Sequence, residues 1–257
     1  MARSFASASA QYLYRASAVV SAMPITMACW FRTTSTTAIQ RLVDVGQLST
    51  GNQKWSLALL GTAAAPNTTV IANTSSVSGA FAATTATYLA DTWHHAAAVF
   101  TSSTSRTAYL DGGNAGTDTA SVSPSGVDTT TIGATGVGAS AFGQYMSGRI
   151  AEAAIWDVAL TASEIAALAR GFIPPQIRPQ SLVAYWPLGG RYGQFDLDRW
   201  KNSLNLTPFN SPTWANHDRI IYPQPIVWPQ RAAAVGGATP WLYARRRSQI
   251  IGAGGVH

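Results

Sequence analysis

The stretch from Gly148 to Gly171, GRIAEAAIWDVALTASEIAALARG, constrains the fold most, because two periodicities meet in it in a fixed order. Residues 149–160 read as a strand rich in Ile, Val and Trp with few polar interruptions. Thr161-Ala-Ser-Glu164 then matches a capping box, in which the threonine hydroxyl serves one orphan amide and the glutamate reaches back to another. Ile165, Leu168 and Ala169 fall on one helical face, Arg170 occupies the last turn, and Gly171 with Pro174 beyond supplies a stop. The spacing predicts a strand running straight into a short one-sided helix.

Upstream, short strands are expected at 11–20, 25–32, 41–47, 54–60, 69–73, 80–89, 93–100, 107–110 and around 130–133, separated by Ser, Thr, Asn and Gly turns. Met23-Pro24 ends the first, and Asp111-Gly112-Gly113 makes a tight turn. No helical pattern interrupts them, which favours an antiparallel sandwich over βαβ units. The Thr/Ser/Gly-rich segment 117–140 holds little beyond one strand and reads as mobile or partner-facing loops.

The run G-x-I-x-E-x-x-I-W-D-x-A-L-T-x-x-E-I from Gly148 to Ile165 resembles the closing strand and helix of laminin-G-like, concanavalin A-like jelly rolls. Pro24-Ile-Thr-Met-Ala-Cys-Trp30, Trp93-His94-His95-Ala-Ala-Ala-Val99, Ala108-Tyr-Leu-Asp111-Gly112 and Thr131-Ile-Gly133 fit the same family in the same order. The resemblance implies an all-β fold, an antiparallel β-sandwich of jelly-roll type with one short helix.

Beyond the helix, Pro174-Pro175 and Pro179 mark a linker. Ser181-Leu-Val-Ala-Tyr-Trp-Pro187-Leu188, followed by Asp196, Asn202 and Asn205-Leu206-Thr207, resembles the opening strand and first turn of the same domains, yet here it follows the closing helix. The order looks circularly permuted, and the strand at 181–188 is expected beside the N-terminal one. The reading is a sandwich over 1–210 and an extended Pro/Arg-rich arm over 211–257. This layout is similar to structural proteins of tailed phages.

Charge supports that division. Charged residues make up 11% of the chain, less than half of the roughly 25% that is usual. Residues 1–170 hold eight basic and eight acidic groups, and 171–257 hold nine against three, 9 − 3 = +6, so the net charge of +6 lies wholly in the last third. A neutral body with a basic extension points to an acidic partner surface, with nucleic acid as the weaker alternative. The docking residues expected on the arm are Trp228, Arg231, Trp241, Tyr243, Arg245, Arg246 and Arg247.

Catalytic and metal constellations are sparse. The chain has two glutamates, Glu152 and Glu164; the second belongs to the helix cap, and Asp157 lies five strand positions from Glu152, on the opposite side. A paired-carboxylate glycosidase is not expected. His94 and His95 are adjacent on a strand and face opposite ways, so they cannot share a metal ion. Calcium, which the resemblance allows, has weak support: Ala151 stands where the family often has Asp, and Asp196 and Asp198 are flanked by Arg199 and Lys201. Asp44 and Asp111 are expected at turns. Cys29, the lone cysteine, reads as a buried inert thiol. No cofactor, no catalytic residue and no metal site is expected.

The first 15 residues lack the apolar run of a signal peptide, and no stretch approaches the roughly 18 apolar residues of a membrane span. The expectation is a non-enzymatic structural or decoration protein of a tailed-phage virion, docked on other virion proteins through the arm and able to form homo-oligomers. The alternative is a carbohydrate-binding module that meets cell-surface glycans with the rim loops of the sandwich. A glycan site requires exposed aromatics converging on one surface, whereas docking places them along the arm.

Overall fold

Strands with one apolar side must bury it, and here two antiparallel sheets bury theirs against each other. The computed structural model describes residues 2–74, 80–189, 198, 200 and 203–217. The N-terminal half contributes β1 (Ala2–Phe5), β2 (Tyr12–Arg15), β3 (Ile25–Thr33), β4 (Gln40–Gly46), β5 (Lys54–Leu59), β6 (Val70–Thr74), β7 (Phe81–Ala83) and β8 (His94–Ser102). Next come β9 (Ser105–Leu110), β10 (Gly113–Asp118), β11 (Thr129–Ile132), β12 (Thr135–Gly138), β13 (Ala141–Gly143) and β14 (Gly148–Trp156). Helix α1 (Ala162–Ala169), β15 (Leu182–Trp186), β16 (Thr207–Phe209) and β17 (Thr213–Ala215) follow.

One sheet has eight strands, in the order β10-β9-β8-β3-β14-β1-β17 with β15 also on β14; the other has seven, β16-β2-β11-β4-β5-β6-β7; β12 and β13 form a separate hairpin. Phe31, Phe100 and Trp186 from the first sheet meet Leu42, Trp55 and Leu57 from the second in one core cluster. Each such buried side chain contributes about 1.5–3 kcal/mol. The sandwich read from the sequence is therefore the observed architecture.

The capping box forms as spelled: Thr161 N donates to Glu164 Oε2 at 2.8 Å and Glu164 N to Thr161 Oγ1 at 3.4 Å. Ile165 and Leu168 of α1 pack with Ala97, Ala154 and Trp156 on the outer face of the eight-stranded sheet. The floor is of small residues, and at Gly112 a Cβ would stand 2.8 Å from Ala169 Cβ. That close fit is what lets the helix lie flat.

Three expectations are corrected. The strand at 182–186 joins the sandwich, but its partner is β14 rather than the N-terminal strand. Nine-residue β14 offers an edge that neither four-residue β1 nor five-residue β15 covers alone, so β1 takes 148–150 and β15 takes 153–156, end to end. An earlier strand, β1, precedes the one expected at 11–20, which shortens to β2. The strand expected around 130–133 is β11, which sits between β2 and β4, and the same Thr/Ser/Gly-rich stretch also supplies β12. Asp44 is inside β4 and only 1% exposed, since turns flank that strand and do not interrupt it. β16 pairs with β2 within the expected sandwich, and β17, at Thr213–Ala215, adds a strand beside β1.

Cys29 is buried in the core, and desolvation pushes its thiol well up. Among the described residues, no helix is long and apolar enough to cross a membrane.

Candidate functional site

Leu13 is a core residue, so its neighbours Tyr12 and Tyr14 on β2 stand on the outer face of the seven-stranded sheet. β16 pairs with β2 and brings Phe209 opposite Tyr12, where the rings stack at 4.9 Å with 4° between planes. Phe209 also meets Tyr14 edge-on at 5.7 Å. The β12–β13 hairpin folds over the same face and places Phe142 4.7 Å from Tyr12 and 5.3 Å from Tyr14. Tyr145 closes the group, 6.0 Å from Tyr12, with its hydroxyl donating to Phe142 O at 2.8 Å. Five rings from three distant segments thus form one patch.

The patch is not a second core. Phe209 is 38% exposed, and Tyr14, Phe142 and Tyr145 are half-buried over Tyr12. Burial pushes the Tyr12 phenol up, helped by Tyr145 and Tyr14, so it stays a neutral hydrogen-bonding group.

Buried charge pins the hairpin that supplies two of the rings. Lys54 Nζ donates to Thr135 Oγ1 and Gly136 O, both at 2.8 Å. Arg41 Nε donates to Gln144 Oε1 at 2.6 Å and Nη1 to Ser56 Oγ at 3.0 Å. Asp44 supplies the countercharge: desolvation pushes its carboxyl up, while Lys54 and Arg41 pull it down. This is why an acid, a lysine and an arginine can be buried together on the outer sheet face under the hairpin.

The other sequence candidates separate. His94 and His95 do face opposite ways: His94 packs on Phe31 and His95 on Trp30. His94 Nδ1 is 2.7 Å from Asp111 Oδ2, and Leu89 N donates to His94 Nε2 at 3.1 Å, so both ring nitrogens are engaged. Asp111 is at the expected turn. Asp198 accepts from Tyr185 N, Trp200 N and Leu204 N at 2.9–3.1 Å, so both of its carboxylate oxygens tie Trp200 and Leu204 to β15. Asp196 and the arm residues Trp228, Arg231, Trp241, Tyr243, Arg245, Arg246 and Arg247 lie outside the described residues. Glu152 sits at a bulge of β14 with φ 52°, hydrogen-bonded by the Tyr185 hydroxyl, and burial pushes it up to about 7. Glu164 is held by Thr161 and Arg178 at the helix cap.

The alternation Tyr12-Leu13-Tyr14 puts two of the rings on one strand face, but sequence reasoning missed Phe142, Tyr145 and Phe209. The density of aromatics in Ala141-Phe-Gly-Gln-Tyr145 was the available signal.

A profile of the concanavalin A-like lectin/glucanases superfamily matches residues 7–166, 160 of the 257 residues. The chain belongs to this superfamily. Within the superfamily fold, a Bacteroides ovatus protein named for carbohydrate binding is similar at 17% identity and a TM-score of 0.56. The match covers 82% of this chain and 58% of that one, so this chain spans less than two thirds of that relative's length. A heptameric SAP-like pentraxin from Limulus polyphemus follows at 15% identity and a TM-score of 0.53, covering 64% of this chain and 77% of the other. A tailspike protein from Escherichia coli O157:H7 bacteriophage CAB120 shares 15% identity over 73% of this chain and 28% of its own, but its TM-score of 0.48 carries no weight. No curated protein is significantly similar in sequence.

Proposed function

We propose that this jelly roll is a non-catalytic carbohydrate-binding module whose ligand lies across the five-ring face of the seven-stranded sheet. The observation that carries the reading is the convergence of Tyr12, Tyr14, Phe142, Tyr145 and Phe209 on one half-open surface. The CH-lined faces of a pyranose match the apolar face of an aromatic ring, while the tyrosine hydroxyls offer hydrogen bonds to its rim. The rings come from a sheet face and a hairpin over it, rather than from rim loops alone. Carbohydrate binding in the name of the Bacteroides ovatus neighbour supports the reading. Glu152 and Glu164 are tied into separate hydrogen-bonded structures, which supports a binding role over hydrolysis.

The test is a panel of soluble oligosaccharides, neutral and acidic, titrated against the full chain and against Tyr14→Ala and Phe209→Ala. Binding that weakens about tenfold or more in both variants is expected, the scale of truncating an aromatic side chain at the centre of a binding site. Failure of the whole panel, or binding indifferent to both substitutions, overturns the proposal.

The charge asymmetry favours a second role for the same molecule. We propose that the basic C-terminal residues attach it to an acidic surface of a tailed-phage virion. Co-sedimentation with particles lacking the protein, at low and high salt, tests this; undiminished binding after Arg245, Arg246 and Arg247 are changed to Ala rejects it.

A further inference from the structure

The outer face of the eight-stranded sheet carries a pair of arginines that neither role uses. Arg32 on β3 and Arg149 on β14 are register partners, and their neighbours Phe31 and Ile150 point into the core. Both guanidinium groups therefore stand on the outer face. Opposed residues on one sheet face have Cβ atoms about 4.5–5.5 Å apart, and like charges so placed repel.

The backbone holds that repulsive register tightly. Gly148, the partner of Thr33, has φ 140°, and a Cβ there would lie 2.1 Å from Arg32 O. Only glycine allows the two strands to approach so closely at this step. Arg32 has a countercharge: its Nη2 is 3.3 Å from Asp91 Oδ1, and Nε donates to Asp91 O at 2.8 Å. Arg149 has no carboxylate within ion-pair distance among the described residues. Glu152, three residues along the same strand, is engaged by the Tyr185 hydroxyl.

Hydroxyl groups surround the pair. Ser4 is the register partner of Arg149 on β1. Just past the ends of β3 and β14, two residues from the arginines, Thr34 Oγ1 and Ser147 Oγ lie 3.0 Å apart. An arrangement of one compensated guanidinium, one uncompensated guanidinium and flanking hydroxyls is short of one negative charge.

We propose that Arg32 and Arg149 bind a tetrahedral oxyanion, a phosphate or sulfate group, with Ser4, Thr34 and Ser147 as supporting donors. Guanidinium forks match such oxyanions bidentately, and Asp91 already holds Arg32 in place, so less freedom is lost on binding. The anion relieves the repulsion between β3 and β14.

The experiment is isothermal titration of the full chain with inorganic phosphate and, separately, inorganic sulfate, against chloride at matched ionic strength. The two arms show which oxyanion is preferred. Saturable binding is expected, weakened about tenfold or more in Arg149→Gln, the scale of removing one charge-assisted pair, and partly kept in Arg149→Lys. Circular dichroism checks that both variants fold, which they should, because Gln removes a repulsion. Both salts also stabilise folded chains by exclusion from their surface, so melting points alone do not decide. No saturable heat from either salt, or equal heat from the wild type and Arg149→Gln, overturns the proposal.

Discussion

On the eight-stranded sheet, α1 lays Ile165 and Leu168 over a floor of alanines and Trp156, whereas on the seven-stranded sheet a hairpin lays Phe142 and Tyr145 over two tyrosines. The first cover is aliphatic and closed, and Ile165, Leu168 and Trp156 are at most 2% exposed. The second is aromatic and half-open, and buried Lys54 and Arg41 add hydrogen bonds that tie its hairpin down. Closed aliphatic packing returns its full buried area to stability. Half-open rings keep area in reserve for a ligand, and hydrogen bonds to buried cations fix the rings without covering them.

Four experiments break or sharpen this contrast. The largest effect is expected from ending the chain at Gly171, which strips β15 from β14 and removes Trp186 from the core. The loss should exceed the roughly 3–5 kcal/mol of a single buried Trp→Ala change, leaving no cooperative thermal transition. A melting curve equal to that of the full chain would show that β15 adds nothing to the sandwich.

Next, Trp156→Ala under the helix should cost about 3–5 kcal/mol in denaturant unfolding and leave the ring face intact. Phe142→Ala in the hairpin should cost about half as much or less while abolishing ligand binding, because its ring is only half-buried. Equal costs would erase the distinction between a closed and an open cover.

A pH experiment separates two buried groups near the closed face. Burial pushes Glu152 up to about 7 and His95 down to about 4. Glu152 keeps its proton in the fold after the unfolded chain has lost it, so its contribution is full at low pH and falls as pH rises to about 7. His95 does the reverse: its contribution is full above the ordinary histidine range and falls as pH drops toward about 4. Each slope is at most about 1.4 kcal/mol per pH unit, and in the wild type the two oppose each other across the same window. Stability of Glu152→Gln should therefore decline on acidification, and that of His95→Gln should decline on raising the pH. Asp44, pushed up by burial, adds to the second slope. If both variants keep the wild-type profile, these shifts are absent.

The smallest effect is Thr161→Ala, which removes one side of the capping box and should cost about 1 kcal/mol with no change at the ring face. Any loss of ligand binding there would mean that the two faces communicate through the sandwich.

The helix and its cap were legible because a capping box is local: Thr161 and Glu164 are three residues apart and meet wherever the chain turns helical. Strand existence was legible for the same reason, since alternation such as Tyr12, Leu13, Tyr14 is written along the chain. The superfamily's order of motifs, from Pro24 to Ile165, added the sandwich. Which strand lies beside which was not legible for β15, because the edge of β14 is shared, and sharing depends on how short β1 turns out to be. Asp44 looked like a turn residue until Lys54 and Arg41 stood beside it. The ring face was hidden most deeply, because Phe209 reaches Tyr12 from 197 positions away and Phe142 from 130, 209 − 12 and 142 − 12. By itself the sequence determined periodicity, caps and the distribution of charge, all of which are carried by near neighbours. Only the tertiary structure decided the ring face, the buried charges beneath its hairpin and the opposed arginines, because strand register is set when distant segments close on one core.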